Sequence, residues 1–243
     1  MGNYAQIARK VPQVTNTQQA VDHAGRGSEM AYQEMLKGLE LKRDMETSLI
    51  GSTGTSTGGG KQSGSDTVVR RLGPLLSWVK SNTSVSTSGT TGVEPTGDGS
   101  NIRTDGTQRA FTEAQLKTVL SSAWNNGGEP GTIMTGAFNK QVFSTFTGRA
   151  SPIEQASSKK ITASVDAYES DFGRLKVVPN RFQRARDVWV LQMDMWAAAY
   201  LRPITSIMLA INGDSQRKEI VTEYTMEARN EKASGGVFDL TTS

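Results

Sequence analysis

"SEMAYQEMLKGLELKRDMETSLI", residues 28 to 50, returns an apolar side chain at Tyr32, Met35, Leu36, Leu39, Met45 and Leu49. That recurrence is the spacing of one face of an α-helix. Ser28 stands where an N-cap is needed and Gly51 where a left-handed stop is needed, so the stretch predicts one long amphipathic helix with a single buried stripe. The other face carries Glu34, Lys37, Lys42 and Glu46, with Lys42 and Glu46 four apart, as on a face that is solvated or lies against a polar partner. The counterpart lies near the other end of the chain. "QRKEIVTEYTMEARN", 216 to 230, puts Ile220, Tyr224 and Met226 on one side and Glu219, Val221 and Glu223 on the other, the alternation of a long half-exposed strand.

Between these two elements the composition changes sharply. Of residues 51 to 66, thirteen are Gly, Ser or Thr, which reads as a flexible linker, poorly ordered unless a neighbouring subunit holds it. "DTVVRRLGPLLSWV" (66–79) has a helical pattern that Pro74 kinks or splits. Residues 81 to 107 hold only Val85, Val93 and Ile102 as aliphatics and read as a second long loop. Local signals are clear again at "RAFTEAQLKTVLSSAWNNGG" (109–128): Thr112 and Gln115 have capping-box spacing, Phe111 and Leu116 form a hydrophobic staple, and Gly127-Gly128 ends the helix. "TIM" (132–134) predicts a short strand, and "AFNKQVFSTF" (137–146) a helix with Phe138, Val142 and Phe146 aligned. "ITASVDAYESDFGRLKVV" (161–178) predicts a hairpin turning at SDFG, "DVWVLQMD" (187–194) a strand, and "MWAAAYLRP" (195–203) a helix-like turn stopped by Pro203.

Composition excludes much chemistry. There are no cysteines and one histidine, His23, so thiolate nucleophiles, disulfides, zinc–thiolate sites and histidine-based triads or relays are all removed. Lys and Arg number 27 against 24 Asp and Glu, a net charge of +3 that announces neither a nucleic-acid nor a membrane partner. No apolar run approaches the roughly 20 residues of a membrane span, and the start has no signal-peptide core, so the protein is expected to be soluble and cytoplasmic at synthesis. Lys61 ends a glycine run, but the Gly-x-x-x-x-Gly-Lys-Ser/Thr pattern fails because Thr55 occupies the first glycine position and Gln62 the hydroxyl position. Asp166, Glu169 and Asp171 fit no EF-hand spacing and read as an acidic turn. "RLKVVPNRFQRARD" (174–187) interleaves Arg174, Lys176, Arg181, Arg184 and Arg186 with Phe182. It reads either as a patch for phosphate backbones or as a loop whose arginines pair with acids nearby, and the small net charge favours the second. No catalytic residue, metal or cofactor emerges, and the chain reads as an α+β protein that is not an enzyme.

Six segments together resemble a known family: "MLKGLELKRDMETSLIG" (35–51), "DGTQRAFTEAQLKTVL" (105–120), "FTG" (146–148), "YESDFGRLKVVPNRF" (168–182), "YLRP" (200–203) and "EYTMEARNEKASGGVFDL" (223–240). In order and spacing they are similar to the major head (capsid) proteins of tailed bacteriophages, in the SU ten group. The resemblance implies the Hong Kong 97 type of capsid fold, with a spine helix, a long antiparallel sheet and a compact α/β axial domain. In those terms residues 1–24 correspond to the returning limb of an extended loop, 25–65 with 202–243 to the peripheral domain, and 66–201 to the axial domain. In the family an N-terminal arm and the outgoing limb precede the residues matching Met1. The resemblance implies a chain that self-assembles into pentamers and hexamers of an icosahedral virion shell, built in the host cytoplasm. The implied partners are copies of itself, scaffold, portal and decoration proteins, and packaged double-stranded DNA held non-specifically, with no membrane. Arg181, Arg184, Arg202, Arg229 and Glu231 are the charges expected at subunit interfaces or domain junctions; a nucleic-acid-binding protein using 174–186 is the competing reading.

Overall fold

The computed structural model describes residues 2–21, 25, 27–51, 59–146 and 167–243. In chain order the elements are β1 (Gln6–Lys10), β2 (Gln13–Thr15), α1 (Asn16–Ala20), α2 (Glu29–Ile50), α3 (Leu75–Trp78), β3 (Asn82–Ser84), α4 (Glu113–Asn125), β4 (Thr132–Thr135), α5 (Ala137–Phe143), β5 (Ala167–Ser170), β6 (Gly173–Pro179), β7 (Val188–Leu191), β8 (Trp196–Met208), β9 (Ser215–Ala228) and β10 (Gly235–Val237). They form two sheets. In the four-stranded sheet β9 is central, with β1 and β2 antiparallel along one side and β8 antiparallel along the other. The six-stranded sheet runs β3-β10-β7-β4-β6-β5 and is mixed, with β3–β10 and β4–β6 parallel.

Helix α2 begins and ends where its sequence signals lie. The Ser28 hydroxyl accepts from the Ala31 N–H, and Gly51 closes the helix at φ 88°, a conformation that costs a glycine little. Its apolar stripe, however, splits. Met45 of the expected stripe is buried together with Leu41, which that stripe did not include, and both pack with Leu72 and with Ile220 and Tyr224 of β9, whereas Tyr32, Met35 and Leu39 remain exposed. The reason is electrostatic as well as apolar. Glu34 accepts from Lys218 at 2.6 Å and from Ser206, and Lys10 of β1 reaches Asp44 at 2.7 Å, so a mixed polar and apolar face is seated on the sheet. Lys218 and Ser206 hold the Glu34 carboxyl below the usual carboxylate range. Lys42 and Glu46 do not pair; Glu46 accepts from Asn180 instead, at 2.9 Å.

The second sheet carries its own core. The capping box of α4 forms as its spacing predicts, and Leu116, Val119 and Leu120 pack with Phe111, Ile133, Val188, Val190 and Val237. The hairpin β5–β6 turns at Asp171-Phe172, and β4 and β7 occupy their expected positions. On α5 the most buried residues are Asn139 and Phe143, with Val142 and Phe146 only partly buried, because the Asn139 amide donates to the carbonyl of Ala185 at 2.8 Å. A third cluster, with Leu76, Trp78, Trp189, Leu191, Met226 and Phe238, joins the two sheets.

Three expectations change. Within 66–79 only Leu75–Trp78 is helical: the Asn3 amide donates to the Gly73 carbonyl at 3.1 Å and accepts from the Gly73 N–H at 2.7 Å, so that backbone is satisfied without a helical turn. Of residues 195–203 only Met195 belongs to a helical turn, a short one over Met193–Met195, and the rest are the start of β8. Its pairing with β9 slips between Tyr200 and Thr205, and Pro203 is accommodated at that irregularity on an edge strand, where no ladder N–H is missed.

The stretch 81–107 is also more built than its composition suggests. Asp98 accepts from the Ser100 N–H at 2.9 Å, the Ser100 hydroxyl at 2.6 Å and the Thr96 hydroxyl, and these donors hold its carboxyl far below the usual carboxylate range. Gly59 and Gly60 at the end of the glycine run are buried against Ile102 and the Ser100 backbone, too close for a Cβ at Gly60. Residues 52–58, His23 and the 161–166 part of the expected hairpin lie outside the described residues.

The split stripe gives a direct test. Leu41→Ala is expected to cost about 2–5 kcal/mol in urea unfolding, while Leu39→Ala, two residues away and 46 % exposed, changes stability by no more than about 0.5 kcal/mol.

Candidate functional site

Lys61 is committed to structure. Its ammonium donates to the carbonyls of Gly2 at 2.9 Å and Asp98 at 2.6 Å and lies 5.6 Å from the Trp78 ring centre. It ties the end of the glycine run to the 96–101 loop and faces no phosphate cradle. Among the described residues no group of His, Asp or Glu is arranged to hold a metal ion, and no helix is long and apolar enough to cross a membrane. Glu169 and Asp171 lie exposed at and beside the β5–β6 turn, and Asp166 is outside the described residues.

The basic segment 174–187 divides by direction. Arg184 and Arg186 turn inward onto Asp105, Arg186 at 3.2 Å; Arg184 Nε also lies 3.3 Å from Asp187, and Arg186 lies 3.7 Å from Asp239. These pairs belong to a charged network inside the protein. Asp239, fully buried, accepts from the N–H groups of Ser86 at 3.1 Å and Gly106 at 2.8 Å and from Arg103 at 3.3 Å. The Arg103 guanidinium lies 3.9 Å from the Phe238 ring centre. Asp239 adopts φ 60°, the left-handed region that Asp tolerates better than most residues. Burial pushes the Glu94 carboxyl up, and it pushes that of Asp187 up to about 6 against the pull of Arg184 and Arg103. A patch that needs Arg184 and Arg186 for phosphates is thereby ruled out as read.

The remaining expected charges also find partners in their own chain, with one exception. Arg202 Nε donates to Glu223 at 2.9 Å, and Arg70 grips the other oxygen of the same buried carboxylate, linking the 59–73 segment to β8 and β9. Arg229 donates to Glu227 at 3.0 Å and to the carbonyl of Asp194 at 3.3 Å. Glu231 accepts from the N–H groups of Lys80 and Ser81 and from the Ser81 hydroxyl at 2.6 Å. Arg181 is exposed and makes no ion pair among the described residues; it lines a groove of about 440 Å³ with Leu39, Lys42 and Arg43 of α2 and with Phe182. The other prominent surface lies on the edge strand. From Tyr200 to Met208 every residue is exposed, including Leu201 at 69 % and Ile207 at 52 %, and Ile211 beyond it stands at 72 %. The sequence reading missed both the Asp239 network, for which an Asp between Phe238 and Leu240 is the sole local sign, and this apolar edge, which the run of alanines disguised.

Among the described residues no chemical site is assembled, and the two-sheet architecture has counterparts among known proteins. The model of the family described as SU10 major capsid protein covers residues 1–241. The chain belongs to that family. It is 24 % identical over 266 aligned positions to the major capsid protein of Escherichia phage Phieco32, spanning 97 % of this chain and 75 % of the relative. Among solved structures, the cyanophage A-1(L) capsid matches with a TM-score of 0.62 at 12 % identity over 98 % of this chain and 78 % of that one. The holo-SrpI encapsulin complex of Synechococcus elongatus PCC 7942 matches at 0.59 and 10 % identity over 98 % and 75 %. The structural likenesses show the Hong Kong 97 type of fold; because an encapsulin shares it, the family match is what makes the chain a phage major capsid protein. The family is one of structural capsid proteins, which is not an enzyme class, and the nucleic-acid-binding alternative is not favoured.

Two measurements check the buried network. Asp239→Ala leaves Arg103 without its carboxylate and is expected to cost about 3–5 kcal/mol in urea unfolding. Asp187 binds its proton more tightly in the folded protein than at the ordinary 3.8, so its contribution to stability is complete at low pH and lost as the pH rises through about 6. Urea midpoints followed between those two values should therefore fall less steeply with rising pH in Asp187→Asn than in the unsubstituted protein.

Proposed function

We propose that the chain assembles into pentamers and hexamers of an icosahedral head that encloses double-stranded DNA, forming in the host cytoplasm, and that β8 with the turn to β9 is its principal assembly face. The observation that carries this reading is the exposed apolar run of Tyr200, Leu201, Ile204, Ile207, Met208 and Ile211 on an unpaired sheet edge. Soluble monomers blunt long edges and rarely leave such a concentration of large apolar side chains in water. Pro203 and the slipped pairing around it prevent simple continuation of the sheet, so a neighbouring copy packs on side chains rather than extending the ladder. Each contact is modest, and closed symmetry multiplies it over the shell.

The domain division suggested by the resemblance is refined in the same terms. We place the peripheral part in α2 and the four-stranded sheet, with all of β8 included. The axial part comprises the six-stranded sheet, to which the chain returns for β10 after leaving β9. Residues 2–21 lie with the peripheral part, because β1 and β2 pair with β9 of their own chain. Arg202, in the middle of the apolar edge, and Arg229, half-exposed beyond β9, are the charges we assign to subunit contacts; Arg184 and Glu231 act within the chain. Scaffold, portal and decoration proteins are the partners a head of this kind would meet.

Replacing both Ile204 and Ile207 by Asp tests the assembly face. Both side chains are exposed, so the far-ultraviolet spectrum and urea midpoint should stay close to those of the unsubstituted chain, while rings and shells disappear in negative-stain electron microscopy and sizing shows smaller species. Shells that form undiminished would remove β8 from the assembly face.

A further inference from the structure

The fold leaves one concentrated set of cations without carboxylate partners. Many lysines and arginines of the described residues are engaged by carboxylates: Lys10 with Asp44, Arg184 and Arg186 with Asp105, Arg202 with Glu223 and Lys218 with Glu34. Lys42, Arg43 and Arg181 make no ion pair among the described residues, and all three are exposed along one groove of about 440 Å³. Lys42 and Arg43 come from one face of α2, and Arg181 comes from the loop after β6. The single carboxylate on the rim, Glu46, is held by the Asn180 amide at 2.9 Å and not by any of the three. Beside it, Lys176 points outward from β6 and lines the adjoining apolar cleft, which shares Glu46 and Asn180 with the groove.

We infer that this groove is the surface on which the capsid protein holds duplex DNA, through the phosphates of one backbone. Two guanidiniums present planar forks that match phosphate oxygens, and an ammonium adds a mobile point charge. B-DNA offers one negative charge per about 1.7 Å of axis, so a row of three or four cations along an open groove meets several phosphates without reading bases. The groove's one amide and one carboxylate, Asn180 and Glu46, are bonded to each other rather than held out for base edges, and its apolar lining is confined to Leu39, Pro179 and Phe182. The resulting contact is weak per copy, independent of sequence and screened by salt, as a net charge of only +3 requires. The inference also reassigns the basic segment 174–187: its inward members, Arg184 and Arg186, stabilise the protein, and two of its outward members, Lys176 and Arg181, join α2 to bind the duplex, with Arg174 exposed outside the groove.

This inference rests on the reading of the chain as the wall of a DNA-filled head, and one pair of variants separates the two. The unsubstituted protein, Arg43→Ala/Arg181→Ala and, as a control, Lys117→Ala, an exposed cation of α4 paired with Glu113, are compared by fluorescence anisotropy with a short labelled DNA duplex over a range of NaCl concentrations. The same samples are inspected for shells by electron microscopy. The double variant is expected to lose about tenfold in affinity at low salt and to flatten the dependence of log K on log salt by about two, while Lys117→Ala changes neither. Restoring the charges as Arg43→Lys/Arg181→Lys should recover most of the slope, which a merely structural effect would not. An unchanged slope overturns the inference; if shells are lost at the same time, the groove instead receives carboxylates of a second copy. Failure of the unsubstituted chain to form shells, with the slope still dependent on Arg43 and Arg181, would count against the head reading and leave the groove assignment standing.

Discussion

Everything in this capsid protein hangs on the seam where α2 lies across β9. Leu41 and Met45 close over Ile220 and Tyr224, with Leu72 completing the cluster. Full burial of side chains of this kind contributes about 1.5–3 kcal/mol each. The seam also decides position. Once β9 is held beneath the helix it accepts β1 and β2 on one side and β8 on the other, and its far end carries Met226 into the cluster that contains Trp78, Trp189 and Phe238. One strand therefore reaches both sheets. Glu223, buried on that strand between Arg70 and Arg202, adds a charge link at the height of the slipped pairing. A buried carboxylate held from two sides tolerates little displacement, because drawing it away from both arginines would leave its charge buried and uncompensated.

The six-stranded half solves a different problem. Its 81–107 stretch has few aliphatic side chains, and burial of apolar surface alone does not order it. Polar groups take over. Asp239 gathers the Ser86 and Gly106 amides and Arg103 around one buried carboxylate, and Asp98 does the same on a smaller scale for Thr96 and Ser100. Such networks are strong when complete and costly when broken, so they specify one arrangement of a loop that composition leaves open.

Local order was legible in the sequence wherever the cause was local. The capping box at Thr112 and Gln115, the Ser28 and Gly51 ends of α2, and the short strands at 132–135 and 188–191 all formed as their residues implied. The misreadings share one physical cause, a partner distant in sequence. Asn3 satisfies the backbone of Gly73 from seventy residues away and removes a helical turn. β9 draws the alanine run at 197–199 into a strand against its helical propensity. Lys218 and Ser206 pull Glu34 onto the sheet and so turn Tyr32, Met35 and Leu39 outward. The fold itself was reached through resemblance spread over most of the chain rather than through any one motif. The charged candidates suffered most: Arg184 and Arg181 are three residues apart and have opposite fates, which no periodicity separates.

That contrast bears on what a shell protein encodes. In an enzyme the strained or shifted groups converge on a site open to substrate; here Glu94, Arg103, Asp187 and Asp239 converge on a network turned into the protein, and the groups left for partners lie outside it. The leftovers sort into two kinds of different chemistry. The apolar side chains of β8 gain by excluding water and suit a partner that repeats identically and stays. The cations at 42, 43 and 181 gain by displacing counterions and suit a partner that is polyanionic, has no fixed register and must be able to slide. Keeping the two on separate elements has a physical advantage. A cation placed among Leu201, Ile204 and Ile207 would have to be desolvated at every subunit contact, and an apolar run in the groove would hold DNA too firmly in one register to let it repack. Arg202 is the instructive exception: it sits within the apolar edge, and it shares the Glu223 carboxylate of its own chain with Arg70. That contact lowers the cost of burying the edge against a neighbour, and the positive charge left over on the trio is one that a neighbour's carboxylate would answer.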